Sequence, residues 1–362
     1  MTTRISKGSQ TLNHKHYVKK LLIALKDMAA TNGLIPVIKN LPSHITPLIC
    51  AEGLAMERLD AANIRIDFRG TKNFEHEPFE FNPARLIAEQ RPHATLVGLG
   101  SPNNIEGRIA LAASQAKIPV LMYEDFWWTA AKRGGAIPNV VFVIDECAGE
   151  LALKSFPLAH IVVVGDPAAL PPTEEIPEEL ERLSSRFTCV ITYFGGGPEA
   201  THAELKLLVA SLKKTSGNWC LIPRLHPKWA DIPSKPSGPT WGKVWDNILK
   251  PLGKRVVRSN VASSELVVMG SNVVVGSFSK LLTTAAVAHK AVVALVTMEG
   301  MASLRAQSLL KEFPHVSLGI AHEISAPYDL AKFLPILPVI THARCKPYQP
   351  QLVVQTLSEL LK

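Results

Sequence analysis

The chain has 362 residues, of which 47% are hydrophobic and 19% are charged, and its formal net charge is +8. This length favours two domains, and the composition supplies enough apolar residues for a sizeable core. No apolar run reaches the roughly 18 residues that a membrane span needs, and the N-terminal stretch lacks the apolar middle of a signal peptide. The sequence therefore predicts a soluble, cytoplasmic protein.

The positive charge suits an anionic ligand, an anionic membrane face or nucleic acid. Nucleic acid is the least favoured partner, because the basic residues are dispersed apart from Lys15, Lys19 and Lys20 and aromatic residues make up only 6% of the chain. The five cysteines lie far apart without CxxC spacing. They are predicted to be buried reduced thiols and neither a disulfide framework nor a zinc site.

Short apolar runs alternate with helical patterns in the first half of the chain, which is typical of βαβ units in a parallel sheet. The first predicted strand is LLIALKD (21–27), and the loop MAATNG separates it from a helix over 34–41. The further predicted strands are ITPLICAEG, IRIDF, ATLVGLG, PVLMYED, VVFVID and HIVVVGDP. We therefore predict an N-terminal, Rossmann-like domain over residues 1–167.

Residues 168–187 are rich in proline and glutamate and are predicted to link two domains. A second alternating series begins with CVITYFGGG (189–197) and a long helix over about 199–214. Its later predicted strands are WCLIPRLHP, RVVRS, VVVGSFS, AVVALVT and VSLGI. This series predicts a second Rossmann-like domain over 188–345, followed by a C-terminal helix within 346–362.

The predicted fold class is α/β, with two doubly wound domains that face each other across a cleft. Open parallel sheets bind ligands in the crevice beyond the carboxyl ends of their strands. The polar loops that follow the predicted strands are therefore the candidate functional segments.

The loop GSPNNIEG (100–107) follows one of these strands in the first domain. Asn103 and Asn104 either cap the next helix or face the cleft. Glu106 either complements the dipole of that helix or acts in the cleft as a catalytic carboxylate. In the next segment, YEDFWW, Asp125 is the favoured general base, and a tryptophan could stack on a sugar or base ring. The alternative is that one tryptophan lies in the core and the acid pairs with Arg133.

Three glycines, Gly195, Gly196 and Gly197, stand between the first strand and the first helix of the second domain. Free backbone N–H groups at a helix start can bind an anion. Arg224 and His226 lie two residues apart at the end of the next strand. Arg224 suits a phosphate and His226 could donate to an oxygen of a leaving diphosphate, whereas the alternative is a surface arginine and a solvated histidine.

Ser277 and Ser279 offer hydroxyl groups at another helix start, and Lys280 adds positive charge, although either serine could be only an N-cap. Glu299 follows the next strand, where it holds a sugar or ribose hydroxyl or is simply solvated. The sequence has no HExxH or similar metal spacing, no GxSxG elbow and no GxxxxGK[ST] loop. We therefore predict no metal ion, no hydrolase of the elbow type and no P-loop nucleotide triphosphatase.

Several of these runs together resemble the GT-B superfamily, which contains UDP-sugar-dependent glycosyltransferases and non-hydrolysing UDP-N-acetylglucosamine 2-epimerases. The resemblance covers about Leu21 to Pro338 and rests on the order of the runs PLICAEGLAMERLDAANIRI, VGLGSPNNIEGRIALAASQAKIPVLMYED, FGGG, RLHP and NVVVGSFSKLLTTAAVAHKAVVALVT. It implies that the donor nucleotide lies against the second domain, at Gly195, Gly196, Gly197, His226, Ser277 and Ser279. It also implies that the acceptor lies against the first domain, on a side that includes Asp27, Asn32, Gly100, Ser101, Asn103 and Asn104, with Asp125 nearby.

The resemblance implies a glycosyltransferase-like enzyme that uses a nucleotide sugar as substrate and needs neither a cofactor nor a metal ion. The acceptor would be a lipid-linked or polysaccharide precursor, with the basic surface held peripherally against the anionic inner face of a membrane. The chain departs from the epimerase pattern Ser-Gly-Gly-x-x-Glu-Glu, because Thr283 and Thr284 replace the acidic pair. A nucleotide-sugar 2-epimerase or hydrolase and a GT-B-shaped binding protein without catalysis are the two alternatives.

Overall fold

The computed structural model describes residues 18–70, 82–98, 103–127, 135–169, 175–225, 227–308, 310–333 and 345–362. Within these residues the chain forms two parallel β-sheets with helices on their faces. This arrangement confirms the predicted α/β class with two doubly wound units.

The first sheet has seven parallel strands in the order β3-β2-β1-β4-β5-β6-β7. Its strands are β1 (Lys19–Leu25), β2 (Ile45–Ala51), β3 (Phe68–Arg69), β4 (Ala94–Gly98), β5 (Val120–Tyr123), β6 (Val140–Val143) and β7 (His160–Val163). Its helices are α1 (Met28–Lys39), α2 (Leu54–Ala61), α3 (Pro83–Gln90), α4 (Ile105–Gln115) and α5 (Glu146–Ser155). The chain order reverses between β1 and β4, which is where a sheet of this kind opens a crevice.

The second sheet has five parallel strands in the order β12-β11-β10-β8-β9. Its strands are β8 (Cys189–Phe194), β9 (Trp219–Arg224), β10 (Val273–Gly276), β11 (Ala291–Leu295) and β12 (His322–Ile324). The helices of this half are α6 (Glu178–Arg186), α7 (Pro198–Leu212), α8 (Pro227–Ala230), α9 (Trp241–Leu249), α10 (Ser264–Met269), α11 (Leu281–Val287), α12 (Met298–Gln307) and α13 (Pro314–Ser317). Its crevice falls between β8 and β10, where the strand order reverses.

The apolar strands are buried on both faces, as the sequence pattern predicts. Every residue of β4, β8 and β11 is buried. Helices cover both faces of a parallel sheet, so its strands need apolar side chains in both directions. Helix α7 illustrates the helical half of the pattern, because Leu205, Leu208 and Leu212 recur on one face and pack into the core of the second domain.

Helix α1 begins six residues earlier than the sequence pattern predicts. The predicted loop MAATNG forms its first turns, with Asp27 as the N-cap residue. Gly33, which looks like a loop glycine, lies inside the helix because the ring of Tyr123 packs against it. A Cβ atom at residue 33 would lie 2.4 Å from the Tyr123 hydroxyl oxygen.

The prediction of a strand at VSLGI is wrong. Residues 314–317 form helix α13 and a turn follows, while the last strand of the second sheet, β12, lies at 322–324. Pro314 stands at the first helical position, where its missing N–H is tolerated. The run RVVRS adds only an isolated bridge between Val256 and Leu221.

Part of the predicted linker belongs to the second domain. Helix α6 occupies its second half, and the fully buried Leu180 packs with Val190, Cys220 and Val267 in a core cluster of that domain. The apolar side of this short, highly charged helix is narrow, which is why composition alone suggests a linker.

The C-terminal helix α14 (Pro350–Leu360) returns to the first domain, where Val353 and Leu357 are buried beside α1. The returning chain passes β7 closely. Gly165 has a φ of +84°, and a Cβ atom there would lie 2.1 Å from the Pro347 carbonyl oxygen. Asp166 N donates to Lys346 O at 2.9 Å beside this crossing.

The two domains meet through a cluster of rings that we call the aromatic bridge, formed by Phe126, Trp127, Phe278, Phe313 and His315. The Phe126 and Phe278 ring centroids lie 4.6 Å apart, and those of Trp127 and His315 lie 4.9 Å apart. Trp127 also donates its indole N–H to Asp145 at 2.7 Å. Trp127 is 1% exposed, which agrees with the interpretation that one tryptophan of YEDFWW lies in the core.

All five cysteines are free thiols, and four of them are buried. In the described part of the chain, none of the helices combines the length and the apolar character needed to cross a bilayer.

Candidate functional site

The candidate site lies where the carboxyl ends of the two sheets face each other. A cavity of about 720 Å³, called here the arginine cavity, belongs to the second domain. Its wall includes Gly195, Arg224, Leu225, Asp246, Arg258 and Ser279. A second cavity of about 610 Å³, the interdomain cavity, is lined by Asn32 and Arg58 from the first domain and by Ser264, Ser279, Lys280 and Leu281 from the second. Ser264, Ser279 and Leu281 line both cavities, so the two are adjacent parts of one cleft.

A third cavity, of about 300 Å³, lies at the glycine loop after β8, and we call it the glycine cavity. Gly196, Gly197, Glu204, Ser277, Phe278 and, from the first domain, Phe126 line it. A Cβ atom added to Gly196 or Gly197 would meet no atom within 4 Å, so this stretch of backbone faces open space. Gly195 differs, because a Cβ atom there would lie 3.0 Å from Thr201 Oγ1.

The backbone at the glycine cavity can bind an anion. Gly197 is the N-cap residue of α7, a helix of 15 residues, and Pro198 occupies its first position. The exposed N–H groups of such a helix end and the helix dipole both favour negative charge. Ser277, which follows β10, brings a hydroxyl group to the same cavity from the other side of the switch point.

Ser277 is buried, and its Oγ donates to Glu204 Oε1 at 2.5 Å. Tyr193 OH donates to the other oxygen of that carboxylate, Oε2, at 2.7 Å. Glu204 is fully buried in α7, and burial raises the pKa of its carboxyl group. Glu204 carries no sequence signal of a functional role, because a glutamate in an amphipathic helix ordinarily lies on the solvated face.

Ser279 and Lys280 occupy different parts of the cleft. Ser279 Oγ accepts from Leu281 N at 3.3 Å at the start of α11, and the residue lines both large cavities. Lys280 Nζ lies 3.0 Å from Asp166 Oδ1, across the boundary between the domains. Lys280 therefore contacts the interdomain cavity and at the same time forms an ion pair with the first domain.

Arg224 forms its described hydrogen bonds with other protein groups. Its guanidinium donates to Val261 O at 2.9 Å, to Ala262 O at 3.0 Å and to Ser264 Oγ at 3.4 Å. These bonds hold the segment 261–264 that separates the two large cavities. Arg224 thus positions the wall of the arginine cavity, and its role as a phosphate ligand stays a prediction. His226 lies outside the described residues.

The predicted acceptor side contains Asp27, Asn32 and Asp125. Asn32 Oδ1 accepts from Arg58 Nε at 2.5 Å, and both residues line the interdomain cavity. Asp27 follows β1 and is the N-cap residue of α1, although its side chain makes no capping bond. Burial raises the pKa of Asp27, the Lys26 charge lowers it, and the Glu52 charge raises it.

Asp125 follows β5 and precedes Phe126 of the aromatic bridge. Its pKa is raised, chiefly by burial, and the negative charges of Asp27 and Asp166 add to the increase. The positive charge of Lys280 opposes this increase. The carboxyl group thus lies among charges from both domains, close to the boundary that the interdomain cavity follows.

Glu106 does not lie on the cleft surface, and this placement does not support the catalytic role expected of it. The residue is fully buried, and its carboxylate accepts from Lys26 N and from Asn104 Nδ2, both at 3.0 Å. It also lies close behind Gly98, where a Cβ atom would be 2.5 Å from Glu106 Oε1. We assign Glu106 a structural role in joining β1, β4 and α4.

Asn104 is the N-cap residue of α4, as one of the two interpretations predicts, and its Oδ1 accepts from Gly107 N at 3.0 Å. Asn103 is exposed at the end of the same loop. Gly100, Ser101 and Arg133 lie outside the described residues.

Glu299 is exposed in the first turn of α12, a helix that Thr297 caps by accepting from Gly300 N at 3.0 Å. Its charge acts on His202 of α7, whose pKa burial lowers most, Lys206 lowers further and Glu299 raises. A role of Glu299 in holding a ribose or sugar hydroxyl stays a prediction.

The whole chain is similar in fold to solved structures of nucleotide-sugar proteins. The structure of S. aureus MnaA with UDP has a TM-score of 0.67 at 12% identity, over 95% of this chain and 97% of that one. A UDP-GlcNAc 2-epimerase from Neisseria meningitidis bound to UDP-GlcNAc has a TM-score of 0.63 at 15% identity, over 94% and 100%. A glycosyltransferase from Rickettsia africae has a TM-score of 0.58 at 13% identity, over 95% and 98%.

The chain therefore has the GT-B fold, and the predicted resemblance to that superfamily is confirmed at the level of the fold. No protein-family model matches the sequence, and no curated protein matches it either. The likeness lies in the three-dimensional arrangement of both domains, while the identities of 12% to 15% leave the reaction to the chemistry of the site.

Proposed function

We propose that this protein is a glycosyltransferase that binds a nucleotide-activated sugar in the cleft and transfers the sugar to an acceptor hydroxyl. The observation that carries the proposal is the glycine cavity, where the open backbone of Gly196 and Gly197, the start of α7 and Ser277 converge. The adjacent arginine and interdomain cavities supply room for a nucleoside and for an acceptor. Structural neighbours bound to UDP or UDP-GlcNAc support a nucleotide sugar as the ligand.

The donor diphosphate would bind at the glycine cavity. Its negative charge is matched there by backbone N–H groups, by the helix dipole and by a hydroxyl group, none of which needs a metal ion. The same groups would stabilise the charge that develops on the diphosphate as the bond to the sugar breaks. Ser279, at the junction of the two large cavities, would contact the same part of the donor.

Asp125 is the proposed general base. It would accept the proton of the acceptor hydroxyl as that oxygen attacks the anomeric carbon, while the nucleoside diphosphate leaves with the electron pair of the broken bond. A carboxyl group whose pKa burial raises is a stronger base than an exposed aspartate, and the positive charge of Lys280 opposes part of that rise. Asp27 would help to orient the acceptor on the same side.

Transfer is favoured over epimerisation because of the residues that follow Ser279. The epimerase pattern has two glutamates five and six positions after its serine, and residues 277–288 contain no acidic residue. Thr283 and Thr284 lie in this stretch, and both are buried. Thr283 Oγ1 lies 3.3 Å from His315 Nε2, and Thr284 Oγ1 donates to Ala168 O at 3.2 Å. Both hydroxyl groups therefore help to hold the protein together and supply no carboxylate to a ribose.

A lipid-linked or polysaccharide acceptor would fit the net charge of +8, since a basic protein is attracted to the anionic face of a membrane. Contact with a membrane is part of the proposal for the acceptor only. The donor site and the general base do not depend on it.

The first test is a thermal-shift screen of the purified full chain against UDP, GDP, CDP, TDP and CMP and their common sugar conjugates. A ligand that binds only the folded protein raises its stability by RT ln(1 + [L]/Kd). We expect one nucleotide to raise the melting temperature and Ser277→Ala to reduce that shift. Ser358→Ala is the matched control, because Ser358 lies on α14 and its hydroxyl donates to Val354 O within that helix.

The second test follows the sugar of the donor that binds, with and without lipid and polysaccharide extracts as acceptors. Transfer of labelled sugar that requires an acceptor supports the proposal. Release of free sugar or of an epimer without any acceptor would identify the epimerase or hydrolase alternative. Binding without turnover would identify a GT-B-shaped binding protein, and no shift with any nucleotide would overturn the proposed donor site.

A further inference from the structure

The position of Glu204 in the fold does not explain why its carboxylate is buried between two hydroxyl groups. It lies in the middle of α7, fully buried, and it also lines the glycine cavity. Its described partners are two hydroxyl groups: Ser277 Oγ donates to Oε1 at 2.5 Å and Tyr193 OH donates to Oε2 at 2.7 Å. A buried carboxylate ordinarily has a cation or several backbone N–H groups as partners, so this one is poorly neutralised.

The charged residues on the elements around Glu204 lie at more exposed positions. Helix α7 also carries Glu199, His202 and Lys206, α9 carries Lys243 and Asp246, and α12 carries Glu299 and Arg305. Six of these seven are exposed and His202 is half-buried. Burial is the largest influence on Glu204 and raises its pKa, while the hydrogen bonds from Ser277 and Tyr193 lower it. Among the described residues, no ion pair involves Glu204.

The Glu204 carboxylate determines the direction in which the Ser277 hydroxyl proton points. A serine has one hydroxyl proton. While Glu204 is ionised, that proton points to Glu204 Oε1, and only the lone pairs of Ser277 Oγ face the cavity. An anion in the cavity would then meet an acceptor and be repelled.

We infer that Glu204 takes up one proton from solvent when the diphosphate of a nucleotide sugar binds in the glycine cavity, and that this proton turns the Ser277 hydroxyl towards the ligand. The new proton resides on Glu204 Oε1 and is donated to Ser277 Oγ. The Ser277 proton is then donated to a phosphate oxygen, and Tyr193 OH continues to donate to Glu204 Oε2. Glu204 is thus a positioning residue that acts through Ser277 and does not touch the substrate.

This inference rests on the proposed function, because it takes the diphosphate as the ligand of the glycine cavity. It adds a property that ordinary phosphate binding by N–H groups lacks. A ligand that prefers the protonated protein must bind more tightly as the pH falls, and its affinity changes by up to about tenfold per pH unit between the pKa values of Glu204 in the free and the bound protein.

The test is calorimetric titration of the full chain with UDP-GlcNAc over a range of pH, in pairs of buffers that differ in ionisation enthalpy. The diphosphate diester of this ligand does not titrate near neutral pH, so a proton taken up must go to the protein. For the wild type we expect proton uptake on binding and weaker binding as the pH rises. For Glu204→Gln we expect no uptake and an affinity independent of pH, because the neutral amide can donate to Ser277 Oγ at any pH.

Tyr193→Phe is the matched control. It removes the other hydroxyl donor to the same carboxylate but leaves the link between Glu204 and Ser277 intact. We expect Tyr193→Phe to keep the proton uptake and to move the pH window upwards, because the ionised carboxylate loses a donor. Ser277→Ala should abolish the uptake, since the link to the ligand is gone.

The outcomes separate the inference from the proposed function. If UDP-GlcNAc binds to the wild type with the same affinity at every pH, or if Glu204→Gln keeps the wild-type slope, the inference is overturned and the nucleotide site stands. If neither UDP-GlcNAc nor pyrophosphate binds to the wild type at any pH, the proposed donor site falls and the inference falls with it.

Discussion

Lys280 Nζ lies 3.0 Å from Asp166 Oδ1, and the two side chains are only 20% and 6% exposed. Asp166 follows β7 of the first domain, and Lys280 immediately precedes α11 of the second. The pair therefore joins the two sheets at the carboxyl ends of their strands, beside the interdomain cavity. The Lys280 charge also acts on Asp125, the proposed base.

The first prediction concerns the pH dependence of activity. Burial raises the pKa of Asp125, Lys280 lowers it, and Asp27 raises it. A general base must be ionised, so activity should fall as the pH drops through the pKa of Asp125. Lys280→Met raises that pKa and should move the acidic limb of kcat/KM to higher pH, whereas Asp27→Asn should move it to lower pH.

Lys332→Met is the control for this prediction, because Lys332 is exposed and its charge is not among those that act on Asp125. The position of the limb is the quantity to compare, because Lys280→Met also weakens the contact between the domains. Identical limbs in the wild type and Lys280→Met would contradict the assignment of Asp125 as the base.

The second prediction concerns the open backbone of the glycine cavity. Gly196→Ala adds a methyl group that meets no protein atom within 4 Å, so the free energy of unfolding should change by less than about 0.5 kcal/mol. The same methyl group would occupy space that a diphosphate needs, and nucleotide affinity should fall about tenfold, or about 1.4 kcal/mol. Calorimetry and chemical denaturation measure the two effects separately.

Gly149→Ala is the matched substitution for comparison. Gly149 lies in α5 of the first domain, and its added Cβ atom would make ordinary contacts with Ile161 and Val143 at 3.6 and 3.7 Å. It should leave nucleotide affinity unchanged. An unchanged affinity in Gly196→Ala as well would show that the ligand does not approach this loop.

The third prediction separates a structural carboxylate from a catalytic one. Glu106→Gln replaces one carboxylate oxygen by an amide NH2, which faces one of the two present donors, Lys26 N or Asn104 Nδ2, and should cost about 1 to 3 kcal/mol of stability. The folded variant should retain its activity. Asp125→Asn should instead reduce kcat by about 10² or more while leaving the stability near that of the wild type. Denaturation curves and initial rates on the same preparations check both, and a large loss of kcat in folded Glu106→Gln would restore its catalytic role.

The sequence contains most of the fold, because the parallel strands are short apolar runs and polar turns separate them. Elements are predicted at the wrong place where the identity of a residue depends on a contact with a distant part of the chain. Gly33 looks like a loop residue, but its missing side chain makes room for Tyr123, which lies far along the chain. The short strand β12 (His322–Ile324) has too few apolar residues to be recognised as a strand. The neighbouring run VSLGI has a strand-like apolar pattern but forms no strand.

The candidate site is predictable only in part for the same reason. The glycine loop and Ser277 are recognisable because each follows a strand, and parallel strands end on one edge of a sheet. Glu204 carries no such signal, since only the packing of α7 against β8 and β10 brings Tyr193 and Ser277 to its carboxylate. Glu106 shows the reverse case, because its place in the first turn of α4 does not indicate that its carboxylate is buried and accepts from Lys26 N and Asn104 Nδ2.

The fourth prediction concerns the crossing of the C-terminal segment over the first domain. Gly165 has a φ of +84°, which a residue with a side chain adopts at a cost, and a Cβ atom would lie 2.1 Å from Pro347 O. Gly165→Ala should therefore lower the free energy of unfolding by about 3 kcal/mol. In Gly165→Ala, backbone hydrogen exchange should become faster than in the wild type, and the increase should be larger in α14 than in α4. An alanine variant as stable as the wild type would show that the backbone near Pro347 shifts to accommodate the methyl group at little cost.

The fifth prediction concerns His315, which is fully buried in the aromatic bridge. Burial lowers its pKa to about 3 from an ordinary value of 6.5, so the unfolded chain binds a proton there more readily than the folded protein. As the pH falls from 6.5 towards 3, this histidine should therefore destabilise the folded protein by about 1.4 kcal/mol per pH unit. His315→Phe keeps a ring against Trp127 and removes the titration.

The quantity that tests this prediction is the difference in the free energy of unfolding between the wild type and His315→Phe as a function of pH. The difference isolates the histidine, because the other titrating groups contribute to both proteins alike and cancel, even where their contribution has the opposite sign. Asp145 is one of them: burial raises its pKa to about 6, so the folded protein takes up that proton first and gains stability relative to the unfolded chain as the pH falls. We expect the free energy of unfolding of His315→Phe to rise steadily relative to that of the wild type as the pH falls below 6.5. A constant difference over that range would mean that His315 is reached by water and protonated without unfolding, so that the bridge between the domains opens in the native state.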